Sequence, residues 1–360
     1  MPSILTEESR EFLRDLLETR SPSGFEPRAQ RVWSDYLSPH ADKIESDAYG
    51  NVFATLNPEG SPRVLLAGHA DELGLMVSHI TEEGFLYFQA IGGVDRALLR
   101  GQRVVVAGRE GAVNGVIGSL AIHLQEADDR KKVPEMHEFF IDIGARSKKD
   151  AERVVRVGDP ATLAAGYWDL GGGRIAARGC DNRTGIWAAA EAFRMVATRR
   201  GGCPAQVIAA STIQEENGLY GASMLGYRLR PTVAIVIDVT HATDTPVCSK
   251  TKHGDIQLGG GPVISFGSSN HPVVCERLLH VAKTKKIPVQ LEANPRRTGT
   301  DADAIFLQRG GVPTASIGLP NRYMHSPNEV VDFADLEAMA RLLAAFCESL
   351  TPEDTFRVTI

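Results

Sequence analysis

The chain lacks the features of a protein that enters or crosses a membrane. No run approaches the roughly 18 apolar residues a spanning helix needs. The opening Met1-Pro2-Ser3-Ile4-Leu5-Thr6-Glu7-Glu8 has neither the basic nor the apolar region of a secretory leader. Paired cysteine motifs are also missing. The five cysteines, Cys180, Cys203, Cys248, Cys275 and Cys347, are odd in number and show no CxxC spacing. That argues against a disulfide framework and against a Cys-rich zinc site, and a reducing, cytoplasmic setting is expected. Positive charge is not in excess: 39 Lys and Arg stand against 45 Asp and Glu, a net charge of −6, so no nucleic-acid footprint is present. Gly171-Gly172-Gly173 lacks the Gly-Lys-Ser/Thr ending of a phosphate-binding P-loop and reads as a hinge or bulge. Internal repeats and low-complexity tracts are absent.

What is present is ordinary globular material, 360 residues with 43% hydrophobic and 23% charged, enough for two domains or one large domain with an insertion. Residues 7–19 and 26–37 read as amphipathic helices, followed by strands at 51–56 and 63–68. Beyond Glu72 the texture changes to short β-prone runs broken by Gly, such as 85–88, 103–107, 112–117 and 139–143, with one helix near 147–155. From Gly171 onward strands and helices alternate: helix 184–198, strand 207–213, helix 221–225, strand 233–237, helix 272–284, strand 289–292, helix 302–308, strand 314–317, helix 334–350. This predicts an α/β fold with a mainly parallel sheet flanked by helices. Residues 1–72 and 171–360 form that unit, and residues 73–170 form an inserted, barrel-like β domain.

The apolar runs end in chemistry. Residues 63–68 deliver His69 and then Asp71; residues 207–213 run into Glu215-Glu216; residues 232–237 reach Asp238; residues 313–318 lead to His325. Any one acid pair at a strand end reads equally well as a solvated turn. Four such ends in a sheet whose ligands gather at the carboxyl edge of its strands point to a metal site. With Asp181, which opens the apolar helix, the donors are two imidazoles and three carboxylates, a set suited to Zn²⁺, Co²⁺ or Mn²⁺. Five donors exceed one open tetrahedral site and suit two ions sharing a carboxylate. Asp181 is assigned the shared position, His69 and Asp238 one ion, Glu216 and His325 the other. Glu215 is left to take a proton from the attacking water and pass it on. Asp71 fits a partner that orients the His69 ring. The remaining histidines read as surface groups, with His241 as the one outsider close to Asp238. Cys180, beside Asp181, reads as a small buried hydrophobe rather than a reactive thiol.

The order His69-x-Asp71, Gly179-Cys180-Asp181-Asn182-Arg183, Gln214-Glu215-Glu216-x-Gly218, Asp238-Val239-Thr240 and Arg322-Tyr323-Met324-His325-Ser326-Pro327 resembles the glutamyl and leucyl aminopeptidases that form tetrahedral (TET) particles, members of which have been labelled cellulases or endoglucanases. The resemblance runs from Pro22 to Asp332. It implies two zinc or cobalt ions per subunit, an inserted β-rich domain that mediates dimerisation, dimers assembled into a hollow dodecamer, and short peptides as substrates. A deacylase or other amidohydrolase on the same metal pair is the main alternative. A glycosidase needs acids on opposite sides of a sugar bond and has no use for His69 or His325. A purely structural metal protein has no use for Glu215. Selectivity at the first substrate residue is expected to be broad and neutral, with Arg322 favouring acidic residues if it points inward.

Overall fold

A computed structural model describes residues 3–199 and 203–360. Among these residues no helix is long and apolar enough to cross a membrane. The largest sheet has eight strands in the order Lys43–Ser46, Val52–Leu56, Gln206–Thr212, Arg63–His69, Val233–His241, Thr314–Asn321, Val263–Phe266 and Gln290–Ala293. The four central strands from Gln206–Thr212 to Thr314–Asn321 are mutually parallel. Their register sets Thr212 beside His69 and Asp238 beside Gly318, so the site-bearing strand ends fall in one row.

Both faces of these strands are covered, which is why they read as continuous apolar runs. Val64, Leu66, Val233, Ile235 and Ile237 face one core, shared with Trp33, Trp187 and Phe346 from the flanking helices. Leu65, Ala67, Ala234 and Val236 face a smaller core under helices Tyr220–Leu229 and Ala302–Ile305. Helix Cys180–Thr198 lies so close to the sheet that a Cβ at Gly68 would stand 3.2 Å from backbone atoms of Gly185 and Ile186. A side chain before His69 would push the helix outward by a few tenths of an ångström, and Gly68 lets the helix carry Asp181 to the same edge.

The short strands after Glu72 close on themselves. Gly74–Ile80, Leu86–Ile91, Phe140–Asp142, Gly111–Gly118, Arg103–Gly108 and Pro160–Leu163 form a barrel around Leu75, Val77, Phe88, Val104 and Ile141. A third, three-stranded sheet joins Trp168–Gly171, Arg174–Ala177 and Glu329–Asp332, and Gly171-Gly172-Gly173, all at positive φ, make its bulged turn.

Some elements differ from the sequence reading. Lys43–Ser46 and Gln290–Ala293 form the two edges of the large sheet; the second matches the strand expected at 289–292, whereas Lys43–Ser46, half-exposed and charged, and Val263–Phe266 lie outside the expected strands. The antiparallel pairing of Val52–Leu56 and of Val263–Phe266 makes the sheet mixed at its margins. Helix Ala302–Ile305 stops before Gln308, and strand Val233–His241 continues three residues past Asp238.

Behind the site lies a buried ion cluster. Glu72 accepts from Arg178 Nη1 at 2.6 Å and from Arg183 Nη2 at 2.9 Å, and all three are at most 4% exposed. Arg183 also donates to the carbonyls of Leu16, Thr19 and Ala70, tying the first helix to the loop beyond His69. Removing the acid leaves two buried guanidiniums short of counter-charge. Glu72→Ala is expected to lower unfolding free energy by about 3–5 kcal/mol, measured by urea titration of the metal-free chain. A loss below about 1 kcal/mol would place the cluster with surface pairs.

Candidate metal centre

His69 is the last residue of its strand and is 1% exposed. Its Nδ1 lies 3.2 Å from the Asp71 carbonyl and 3.4 Å from Asp71 Oδ1. That turns Nε2 toward Asp181 Oδ1 at 3.2 Å, with Glu215 Oε2 and Asp238 Oδ1 each at 3.8 Å. His325 comes from the loop after strand Thr314–Asn321 and has φ +63°. Its Nδ1 lies 3.2 Å from the Gly93 carbonyl, contributed from just beyond the barrel strand Leu86–Ile91. Its Nε2 faces Asp181 Oδ2 at 3.4 Å and Glu216 Oε2 at 3.7 Å. Asp181 thus offers one oxygen to each imidazole.

The acids are held by backbone amides. Asp71 accepts the N–H of Glu215 on Oδ1 and that of Glu216 on Oδ2, both at 3.1 Å, and the Ser23 hydroxyl as well. One carboxylate therefore fixes the His69 ring and the Glu215-Glu216 turn together. Asp181 and Asn182 leave helical geometry at the start of their helix, and Gly179 before them is left-handed at φ +66°. The Asp181 N–H donates to Glu329 Oε2 at 2.9 Å and the His325 N–H to Glu329 Oε1 at 2.8 Å. Glu329, 2% exposed, so brackets the two residues that meet at the centre of the cluster.

Among the described residues three donor groups have ligand atoms within 4.8 Å of one another: His69, Asp181 and Asp238; Asp181, Glu216 and His325; and His69, Glu215 and Glu216. The first two share Asp181. The third places Glu215 itself within ligand distance of His69 and Glu216.

The electrostatics show a deficit of positive charge. Burial pushes Glu215 up to about 11, with Asp238, Asp301 and Glu216 adding to it against the pull of His69. Burial and Asp181 push Glu216 up to about 8, and burial and Asp181 likewise raise Asp238. The hydrogen bond to Asp181 and the nearby acids push His325 up to about 9. Burial pulls His69 down, but Glu215, Asp181 and Asp71 outweigh it and raise it. Imidazoles pressed toward the cationic form among acids pressed toward neutrality are what a cation site looks like without its cations. The donors are all nitrogen and carboxylate oxygen, which fits borderline divalent ions and requires the imidazoles neutral and the acids ionised.

Sequence reasoning passed over Glu329 and Asp301. Asp301 is 1% exposed and accepts from Thr212 Oγ1 at 2.5 Å, beside the His69 strand. Its only sequence signal was an acid in a polar turn. Glu329 stood at the head of an apolar run, where an acid has to be buried. His241 is exposed and belongs to none of the donor groups. Cys180 is fully buried, and burial raises its thiol pKa well above the usual value, leaving it inert. Arg322 does not offer a free charge: its Nε and Nη2 each donate to Asp244 at 2.7 Å, a bidentate pair that neutralises it.

Known proteins share this architecture. The family model for M42 glutamyl aminopeptidases matches residues 50–342. The chain is 35% identical to a lysyl aminopeptidase of Pyrococcus furiosus over 96% of its own length and 98% of that protein. A TET aminopeptidase from a marine sediment thaumarchaeon superposes with a TM-score of 0.92 at 35% identity, covering 96% of this chain and 97% of that one. The TET1 peptidase of Pyrococcus horikoshii, described as assembling into a tetrahedron or a large octahedral shell, superposes with a TM-score of 0.85 at 32% identity, covering 95% and 100%.

Proposed function

The chain belongs to the M42 glutamyl aminopeptidase family and is a metal-dependent aminopeptidase, and from that premise we propose how its own residues divide the work. His69 and Asp238 would hold one divalent ion and Glu216 and His325 a second, with Asp181 placed to serve both. The observation that carries this reading is the geometry of Asp181, with Oδ1 toward His69 and Oδ2 toward His325. Zinc or cobalt fits the donors, with manganese also compatible. When bound, the ions supply Lewis acidity that polarises a peptide carbonyl and makes water a nucleophile near neutral pH. Glu215 accepts the proton from the attacking water and delivers it to the leaving amine. Asp71 is a positioning residue, since one carboxylate sets both the His69 ring and the turn carrying Glu215.

The division into an α/β unit, residues 1–72 and 171–360, and an inserted unit, residues 73–170, is part of the same proposal. Its support is the closed barrel from Gly74 to Leu163. The inserted unit is assigned to dimer formation, and self-association into a dodecamer is proposed because related TET peptidases assemble into shells. Short peptides are the proposed substrates. With Arg322 neutralised by Asp244, no selectivity for acidic first residues is assigned to it.

An aminopeptidase differs from a deacylase in what it does with a blocked amine. The metal-loaded chain is expected to release amino acids from free tripeptides, to leave their N-acetyl forms intact, and to lose activity with a chelator until ions are restored. Comparable cleavage of the acetylated peptides would favour the deacylase, and chelator-resistant release of reducing sugar would favour the glycosidase.

A further inference from the structure

A second cleft, of about 380 Å³ and with a mostly apolar lining that carries three arginines, lies away from the metal cluster between the segment Arg20 to Arg28 and the outer face of the barrel. Arg20, Arg28 and Arg156 line it with a single acid, Asp159. Asp159 is already engaged, one oxygen accepting the Arg156 Nε and the other the Arg156 N–H, each at 2.9 Å. Among the described residues Arg20 and Arg28 have no ion pair and donate no hydrogen bond, and the Arg20 Nε is buried without an acceptor. Burial and the neighbouring charge of Arg178 lower the Arg20 pKa, with Arg28 adding to the effect against the opposing pull of Glu72 and Glu18.

The barrel contributes a second orphan. Thr162 is 2% exposed and its hydroxyl has no partner. Ala161 beside it packs into the barrel core, so alternation turns Thr162 outward into the cleft, level with Val105 on the neighbouring strand. A buried donor without an acceptor costs about 1–3 kcal/mol. Here two such donors and an unpaired exposed guanidinium converge on one space.

We propose that this cleft binds a small tetrahedral oxyanion of the phosphate class, gripped by Arg20 and Arg28 and receiving the Thr162 hydroxyl as a third donor. The bound anion bridges the barrel to the α/β unit. Both inorganic phosphate and a phosphomonoester carry this chemistry.

The test is calorimetric titration of the full metal-loaded protein, freed of excess metal, at constant ionic strength. Inorganic phosphate and ribose 5-phosphate are the two probes, with chloride as control. Saturable binding of at least one probe is expected, and the tighter of the two identifies the source. Arg20→Gln with Arg28→Gln is expected to weaken binding by roughly tenfold or more, since hydrogen bonds to charged groups are lost. Peptidase activity is expected to persist. Thr162→Val, which keeps the shape of the side chain, and the exposed Arg28→Gln alone are expected to weaken it by smaller factors, and they decide the matter if the double variant does not fold. No saturable binding, or binding that these variants leave unchanged, overturns the proposal. Unchanged binding coupled to competitive inhibition would assign the anion to the metal centre instead.

Discussion

Glu215→Gln is expected to reduce kcat/KM for a free dipeptide by roughly 10²–10⁴-fold while the chain keeps its full complement of ions. The substitution preserves shape and removes only the ability to accept a proton. Glu215 is 8% exposed, and its Oε2 lies 3.8 Å from His69 Nε2. In the ion-free cluster burial drives its carboxyl up to about 11. On the proposed assignment, divalent ions bound beside it would reverse that and restore a carboxylate able to act as a base near neutral pH. The competing assignment is that Glu215 is itself a ligand, because it also groups with His69 and Glu216. Metal content by plasma mass spectrometry separates the two. An inactive variant with two ions per chain supports the base, and an inactive variant that has lost an ion makes Glu215 a ligand. Turnover within a few-fold of the parent removes it from the mechanism.

Asp181→Ala is expected to have the other large effect, loss of both ions at ordinary metal concentrations and loss of measurable turnover. Burial alone would raise this carboxyl, yet hydrogen bonds to His325 and His69 hold it well below the usual range. It is the only member shared by the two donor groups that contain one imidazole, one other acid and no Glu215. On the proposed assignment the loss leaves His69 with Asp238 and His325 with Glu216, too few protein donors for tight binding unless Glu215 is recruited. A bound ion stabilises the native state by mass action. The parent chain should therefore show a marked rise in melting temperature on adding zinc or cobalt, and Asp181→Ala little or none. A variant that keeps both ions would show that the bridging assignment is mistaken.

Much of this arrangement was legible because buried parallel strands announce themselves. Residues 63–68, 207–213 and 232–237 are apolar on both faces, so the polar residues at their ends stand out. Asp238 shows where that logic is loose, since the strand continues to His241 and the acid sits within it. What makes Asp238 available is not a strand end but its register beside Gly318, where no side chain competes. Glu329 and Asp301 were not legible because they act on backbone amides and hydroxyls that only the folded chain brings near. The Gly93 carbonyl that steadies His325 was invisible for the same reason, being 232 residues away in sequence. The edge strand Lys43–Ser46 escaped because a half-exposed strand carries no continuous apolar run. The neutralisation of Arg322 by Asp244, 78 residues earlier, likewise depends on tertiary contact.

The most direct measurement of the central idea is anomalous diffraction from crystals of the protein loaded with zinc or cobalt. Two peaks about 3.5–4 Å apart are expected, one beside His69 and Asp238, the other beside Glu216 and His325, with Asp181 touching both. A single peak, peaks remote from Asp181, or no anomalous signal in protein that still cleaves peptides would contradict the account.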